Sequence, residues 1–414
     1  MFRNKGLAYI MALCLVITAA FVMPKSIFGT NEDTIVESDD LIVETDAPAA
    51  VKKEAVNLNI AAKSAVLLDA SSGTFLYEQN SHEKLPPASI TKIMTMLLVL
   101  EAVDRGQISL KDEVTISERA ASMGGSQMYM EQGEQQSVEN LLKGMAIGSA
   151  NDACVACAEY VGGSEQIFVE MMNKRARELG MKDTNFVNTN GLPVADHYTS
   201  AYDIGLMSKE LLKHPEVFQW LTTWQDTVLV GLKDKEQTEF GLTNTNRLIK
   251  LYPGANGIKT GFTQEAGYCL SGSATKGDLT LISVVLDCET TQQRWGESMR
   301  LLDYGFATYE SAKVAQKGEI VGTITVEKGS PNIVNAIASE DIKMLVKKGE
   351  AANITRSAIL FEKVKAPIAA GDPIGELIVL KGEEEVGRFP LTAETEVKTV
   401  GVFEIYIRML KTLI

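Results

Sequence analysis

The chain has 414 residues, of which 45% are hydrophobic, and a formal net charge of −14 at neutral pH. That length suggests two domains, and that hydrophobic share is enough for packed cores. The acidic balance and the lack of a dense basic run argue against a nucleic-acid partner.

Arg3 and Lys5 precede residues 6–23, which are apolar throughout, and Pro24-Lys25 and small residues up to Gly29 follow. This reads as a secretory signal peptide over residues 1–29. An uncleaved anchor is the alternative, because 18 apolar residues approach the length that crosses a bilayer. Either way the body of the protein is exported. Residues 30–56 read as an acidic linker, since residues 31–50 hold seven acids and no base.

Two apolar runs, 65–69 and 74–78, flank Ala70-Ser71-Ser72-Gly73 and predict a hairpin. Pro86-Pro87 then precede Ala88-Ser89-Ile90-Thr91-Lys92 and the apolar run 93–100. Proline is tolerated before and in the first turn of a helix but not deeper. Ser89 is therefore expected at a helix N-terminus, with Lys92 one turn on. Positions i and i+3 share a face, which brings an ammonium close to a hydroxyl. A serine needs a base to become a nucleophile, and a lysine in a dry, positive site loses enough basicity to be that base. Alone, Ser-x-x-Lys is far more often a solvated surface pair.

Residues 107–136 are polar and mixed, with Gly124-Gly125 marking a loop. Ser137 caps a helical pattern carrying Val138, Leu141, Leu142 and Met145. The pattern breaks at Gly148-Ser149-Ala150-Asn151, and a second helix is expected from Asp152. A third runs from Ser164 to Leu179-Gly180, and another follows Tyr202-Asp203. After Pro253-Gly254 the period changes to two. Residues 257–262, 267–274 and 279–287 read as successive strands, and 293–304 as a helix. Strands from both ends of the segment around a helical cluster predict an α/β sandwich in one domain, 57–310.

Residues 311–397 alternate short apolar runs with Gly and Pro turns and predict a small all-β domain. From 400 to 414 the apolar residues cover most of a helix, leaving Glu404, Arg408 and Lys411 as one polar stripe. Fifteen residues are too few to span a bilayer. Residues 398–414 therefore read as an amphipathic helix on a membrane surface, the alternative being a terminal helix packed on its own β domain. Cys154 and Cys157 read as buried small residues on one helix face rather than a redox pair. A disulfide between Cys269 and Cys288 is compatible with their adjacent strands but not required. The three histidines are not clustered, which argues against a zinc site.

Ser89-x-x-Lys92 does not stand alone. Ser149-Ala150-Asn151 falls in the break between two helices, and Lys259-Thr260-Gly261 lies on a strand. The three motifs in this order, with Leu85-Pro86-Pro87-Ala88, Asn190-Gly191-Leu192 and Asn256-Gly257-Ile258 around them, resemble those of the low-molecular-mass penicillin-binding proteins, the serine-type D-alanyl-D-alanine carboxypeptidases. The resemblance covers nearly all of the exported chain, including the β domain and the terminal helix. It implies the penicillin-binding and serine β-lactamase-like fold, with peptidoglycan stem peptides and β-lactams as partners.

On that resemblance Ser89 is the nucleophile and Lys92 its general base. Ser149 relays a proton to the leaving amine, and Asn151 bonds Lys92 and the substrate amide. Lys259 keeps the site positive, Thr260 donates to the terminal carboxylate, and Gly261 clears space for substrate beside the strand. The N–H groups of Ser89 and Phe262 form the oxyanion hole. Arg294 is a second carboxylate partner or else a surface arginine. No metal or organic cofactor is required. Ala150 stands where the motif often has Asp, and Phe262 where some relatives carry a polar residue; the second departure bears on specificity. A β-lactamase needs a deacylating acid in a Glu-x-x-Leu-Asn stretch, absent between Asn151 and Lys259. A silent wall-binding protein is a further alternative, although every motif side chain is present. A Ser-His-Asp hydrolase is disfavoured, since no Gly-x-Ser-x-Gly surrounds Ser89.

Overall fold

The computed structural model describes residues 58–401. The expected signal peptide and linker lie outside the described residues, as does most of the expected C-terminal helix. Among the described residues no helix is long and apolar enough to cross a membrane. Lys398–Thr399 form a strand against Gly329–Ser330, so a helix cannot begin at 398 as expected. The backbone there is already committed to a ladder.

Five strands form one antiparallel sheet: β1 Ser64–Asp69, β2 Phe75–Gln79, β3 Ala255–Thr263, β4 Gly267–Lys276 and β5 Leu279–Cys288. Their order is β2-β1-β5-β4-β3, which zips the N-terminal hairpin to the later meander; Ala65 pairs with Val285 and Leu67 with Ser283. Successive side chains of a strand point to opposite faces, and both faces here are covered. Val66 and Leu68 join the core of helices α1 Lys92–Asp104, α2 Asn151–Gly162, α3 Glu165–Glu178 and α4 Ala201–Leu211. Ala65 and Leu67 pack instead with Leu301, Leu302 and Phe306 of α5 Thr291–Thr308. This double coverage is why β5 reads as an almost unbroken apolar run. Buried hydroxyl pairs link the layers, Ser208 to Ser271 at 2.8 Å and Ser283 to Ser298 at 2.7 Å.

Helix α1 is the central one. Ile93, Met94, Met96, Leu97, Val99 and Leu100 are all buried, as expected of a helix that is apolar all round. Ser164, Ser200 and Thr290 cap their helices, each accepting a backbone N–H three residues on. One hairpin, Gln225–Val230 with Thr238–Thr243, has no counterpart in the sequence expectations. Only Val228 and Leu242 of its twelve residues are buried, so its alternation is too shallow to read.

The following part is all β. Its six-stranded sheet runs in the order Ile354–Leu360, Pro373–Lys381, Glu384–Ala393, Ile333–Ala338, Ile320–Glu327, Val364–Lys365. Asp278, in the turn between β4 and β5, pairs with Lys313 and Lys343 of this region at 3.0 Å each. Cys154, Cys157, Cys269 and Cys288 are buried free thiols.

Candidate active site

The nucleophile segment is one turn of 3-10 helix, Ala88–Thr91, feeding directly into α1. Lys92 is fully buried on the first turn of α1, and its Nζ lies 2.9 Å from Ser89 Oγ. The same nitrogen donates to Asn151 Oδ1 at 2.7 Å and to the Asn190 carbonyl at 2.6 Å. Two of these three partners can only accept. A neutral amine has two N–H groups and one lone pair. With its hydrogens on Asn151 and Asn190, its lone pair faces the Ser89 hydroxyl. Burial pushes the Lys92 ammonium below the ordinary lysine range, against the opposing pull of Cys154 and Asp152.

A local irregularity delivers the second motif. Residues Gly144–Gly148 form a π turn, and Ser149 sits in the left-handed region at φ 61°. A π turn of this kind is frequent at functional sites. It lets α2 restart at Asn151, whose Nδ2 donates to Gly124 O at 2.6 Å while its Oδ1 faces Lys92. Ser149 is buried, and its hydroxyl has no hydrogen-bond partner among the described residues. Asp152 is buried behind the motif and receives the Met128 and Ala153 N–H groups, fixing the loop before it.

The third motif lies on β3, the edge strand. Lys259 is buried, its Nζ reaching, among the described residues, only the Thr260 carbonyl at 3.2 Å. Burial first, and the nearness of the Lys92 amine second, hold it well below the ordinary lysine range. Gly261 also has a packing role that the sequence did not suggest. A Cβ there would lie 2.9 Å from Pro87 O and 3.1 Å from Ala88 Cβ, so the bare α-carbon is what lets β3 close on the nucleophile turn. Thr260 donates to Thr245 Oγ1 at 2.8 Å. Phe262 is half exposed and stacks on Tyr268.

Arg294 is buried, which removes the surface reading. Its Nη1 reaches the Gly261 carbonyl at 3.3 Å, its guanidinium lies 4.2 Å from the Trp295 ring centre, and its Nε is a buried donor without an acceptor among the described residues. Burial lowers it to about 10. Among the described residues none of Lys92, Lys259 and Arg294 forms an ion pair. With Lys92 neutral, Lys259 and Arg294 are left as buried basic groups without an ion-pair partner among the described residues, and in a chain of net charge −14 they make this a site for an anionic ligand. Beside Ala88 opens a groove of about 380 Å³ walled by Pro87, Leu192, Val194 and His197, with Glu265 at its rim.

Asn190 stands in the sequence only as a neighbour of Gly191-Leu192, and Thr245 belongs to none of the three motifs. Asn190 acts through its carbonyl, which no side-chain pattern announces. Thr245 follows the hairpin that went unread.

A family model described as D-alanyl-D-alanine carboxypeptidase matches residues 49–290, and a second, described as penicillin-binding protein 5, C-terminal domain, matches residues 309–399. D-alanyl-D-alanine carboxypeptidase DacF of Bacillus subtilis is 43% identical over 366 residues, covering 87% of this chain and 93% of the relative. DacC of Escherichia coli is 35% identical, covering 83% of this chain and 86% of its own. The crystal structure of penicillin binding protein 5 from Haemophilus influenzae superposes with a TM-score of 0.67 at 32% identity, over 83% of this chain and 99% of that one. With its three motifs in one cleft and these relatives spanning both halves, the chain belongs to the D-alanyl-D-alanine carboxypeptidase family.

Proposed function

We propose the following division of labour within this serine-type D-alanyl-D-alanine carboxypeptidase. Ser89 Oγ attacks the carbonyl between the two terminal D-alanines as Lys92 Nζ takes its proton. The oxyanion forms against the backbone N–H groups of Ser89 and Phe262. Ser149 passes the proton to the leaving amine, and D-alanine departs. Water then hydrolyses the ester on Ser89. Lys259 and Arg294 attract and hold the substrate's terminal carboxylate, to which Thr260 donates once its hydroxyl turns away from Thr245, while Asn151 keeps Lys92 aimed and meets the peptide amide. The stem peptide ahead of the scissile bond lies in the groove beside Ala88. None of these steps calls for a metal or organic cofactor.

The observation that carries this reading is the 2.9 Å contact of Lys92 Nζ with Ser89 Oγ inside a buried site without a paired anion. Labelling with penicillin and mass spectrometry of the adduct tests it: a long-lived acyl group on Ser89 is expected. Release of D-alanine from a pentapeptide should vanish in Ser89→Ala. Rapid turnover of the adduct would favour a β-lactamase, which neither the relatives nor the β-rich C-terminal region favours. Wild-type protein that releases no D-alanine would leave only a wall-binding role. The enzyme acts on the extracytoplasmic face of the cytoplasmic membrane, held there as a peripheral protein by its C-terminal segment. The mostly apolar sequence of residues 400–414, with Glu404, Arg408 and Lys411 at spacings of four and three, supports this.

A further inference from the structure

His197 is almost wholly buried and not part of any of the three motifs, yet both its ring nitrogens are engaged. The Val187 N–H donates to Nδ1 at 2.9 Å, so Nδ1 carries no hydrogen. The proton of the neutral ring is therefore on Nε2, which lies 2.8 Å from Thr91 Oγ1 and donates to it. Thr91 Oγ1 in turn donates to the Ala88 carbonyl at 2.8 Å. The chain of donors has only one direction: Val187 to His197 to Thr91 to Ala88. Burial holds the imidazole down at about 4, which keeps it neutral and the direction intact.

The carbonyl at the end of this chain is unusual. Ala88 adopts φ 47°, in the left-handed region that a residue with a Cβ avoids, so something must hold it there. A second support comes from Gly191, whose α-carbon presses on the same oxygen: a Cβ there would lie 1.8 Å from Ala88 O. The neighbouring Asn190 carbonyl is the one that receives Lys92. One loop thus touches both the base and the peptide group just before the nucleophile.

The Ala88–Ser89 peptide group is planar, so its C=O and N–H point in opposite directions. Fixing the Ala88 oxygen fixes the Ser89 N–H, which has no acceptor among the described residues. We propose that His197 and Thr91 are positioning residues for acyl transfer: through the Ala88 carbonyl they aim the Ser89 N–H at the oxygen that becomes the oxyanion. Neither side chain touches the reacting atoms. The inference rests on Ser89 being the nucleophile with its own N–H in the oxyanion hole.

The test uses the full chain and a fluorescent penicillin, with the dissociation constant and the acylation rate constant measured separately by stopped flow. The infrared stretch of the acyl-enzyme ester carbonyl is recorded as well. Thr91→Val and His197→Leu should acylate about ten- to a hundredfold more slowly, below the loss seen when an oxyanion donor is removed outright. Their dissociation constants should move less than about twofold on the same argument, and the ester carbonyl should shift to higher frequency as its hydrogen bond weakens. Thr91→Ser and His197→Gln keep a donor at each link and should restore both rate and frequency. Melting curves identify any variant that has not folded, and the Ser and Gln variants then carry the test, a slow rate with a shifted carbonyl in both folded conservative variants counting against the proposal. Wild-type acylation in Thr91→Val, or a slow rate with an unshifted carbonyl, overturns it. Mass spectrometry of the wild-type adduct separates the two readings: label away from Ser89 refutes the nucleophile itself, whereas label on Ser89 with unaffected variants refutes only the positioning role.

Discussion

Lys92 Nζ and the Asn190 carbonyl lie 2.6 Å apart although 98 residues separate them in the chain. With Asn151 Oδ1 at 2.7 Å, this contact takes two of the amine's hydrogens and leaves the third direction to Ser89. The base is aimed by its neighbours rather than by its own helix.

Lys259 illustrates the cost of such a site. Its folded pKa is depressed by burial, so the unfolded chain binds its proton more readily than the folded one. Stability therefore rises with pH between the depressed value and the ordinary one near 10.5, and at neutral pH the buried amine is destabilising. Lys259→Met should raise Tm at pH 7 by a few degrees, on the order of 1 kcal/mol, while reducing kcat/KM for D-alanyl-D-alanine substrates at least about tenfold through loss of the carboxylate's partner. Calorimetry and D-alanine release check the two halves. A less stable variant would contradict the burial argument.

Asn151→Asp changes one atom type beside the base. A carboxylate 2.7 Å from Lys92 Nζ favours the ammonium, and it also points a second oxygen at the Gly124 carbonyl. The acid limb of the kcat/KM profile should move to higher pH, with activity at pH 7 falling about a hundredfold, similar to losing an oriented catalytic group. Raising the pH should recover part of it. A loss independent of pH would assign Asn151 a role other than holding the amine neutral.

Gly261→Ala tests the close approach of strand and nucleophile. The new methyl would meet backbone oxygen and a Cβ at 2.9 and 3.1 Å, neither of which can swing aside. Either β3 shifts or the Ser89 turn does. Stability should fall by an amount typical of overpacking, about 1–3 kcal/mol, with a corresponding drop in Tm, and penicillin acylation should slow more than penicillin binding weakens. Stopped-flow acylation together with melting curves measures both. An unchanged acylation rate would show that the approach is not needed for chemistry.

Removal of residues 402–414 should release the protein from membranes without altering D-alanine release in solution, since every side chain given a role in the cleft lies between Ser89 and Arg294. Fractionation of cells expressing both forms decides it. Equal membrane fractions would rule the C-terminal segment out as the attachment.

By itself the sequence determined the parts and their order. An almost unbroken apolar run marks β5 because both sheet faces are covered, and the apolar run 93–100 marks the central helix. Ser89 and Lys92 are three residues apart where a 3-10 turn runs into α1, so their nearness is a local matter, while the direction of the amine is not. Tertiary structure alone decided what surrounds them. The Asn190 carbonyl, the Thr245 hydroxyl and the His197 imidazole reach the cleft from loops whose paths depend on packing far along the chain. Gly261 was expected to leave room for substrate, and only the fold shows that it also leaves room for the Ser89 turn. Backbone groups and close approaches carry no signature in residue type, because every residue has a carbonyl and only the fold says which one is nearby.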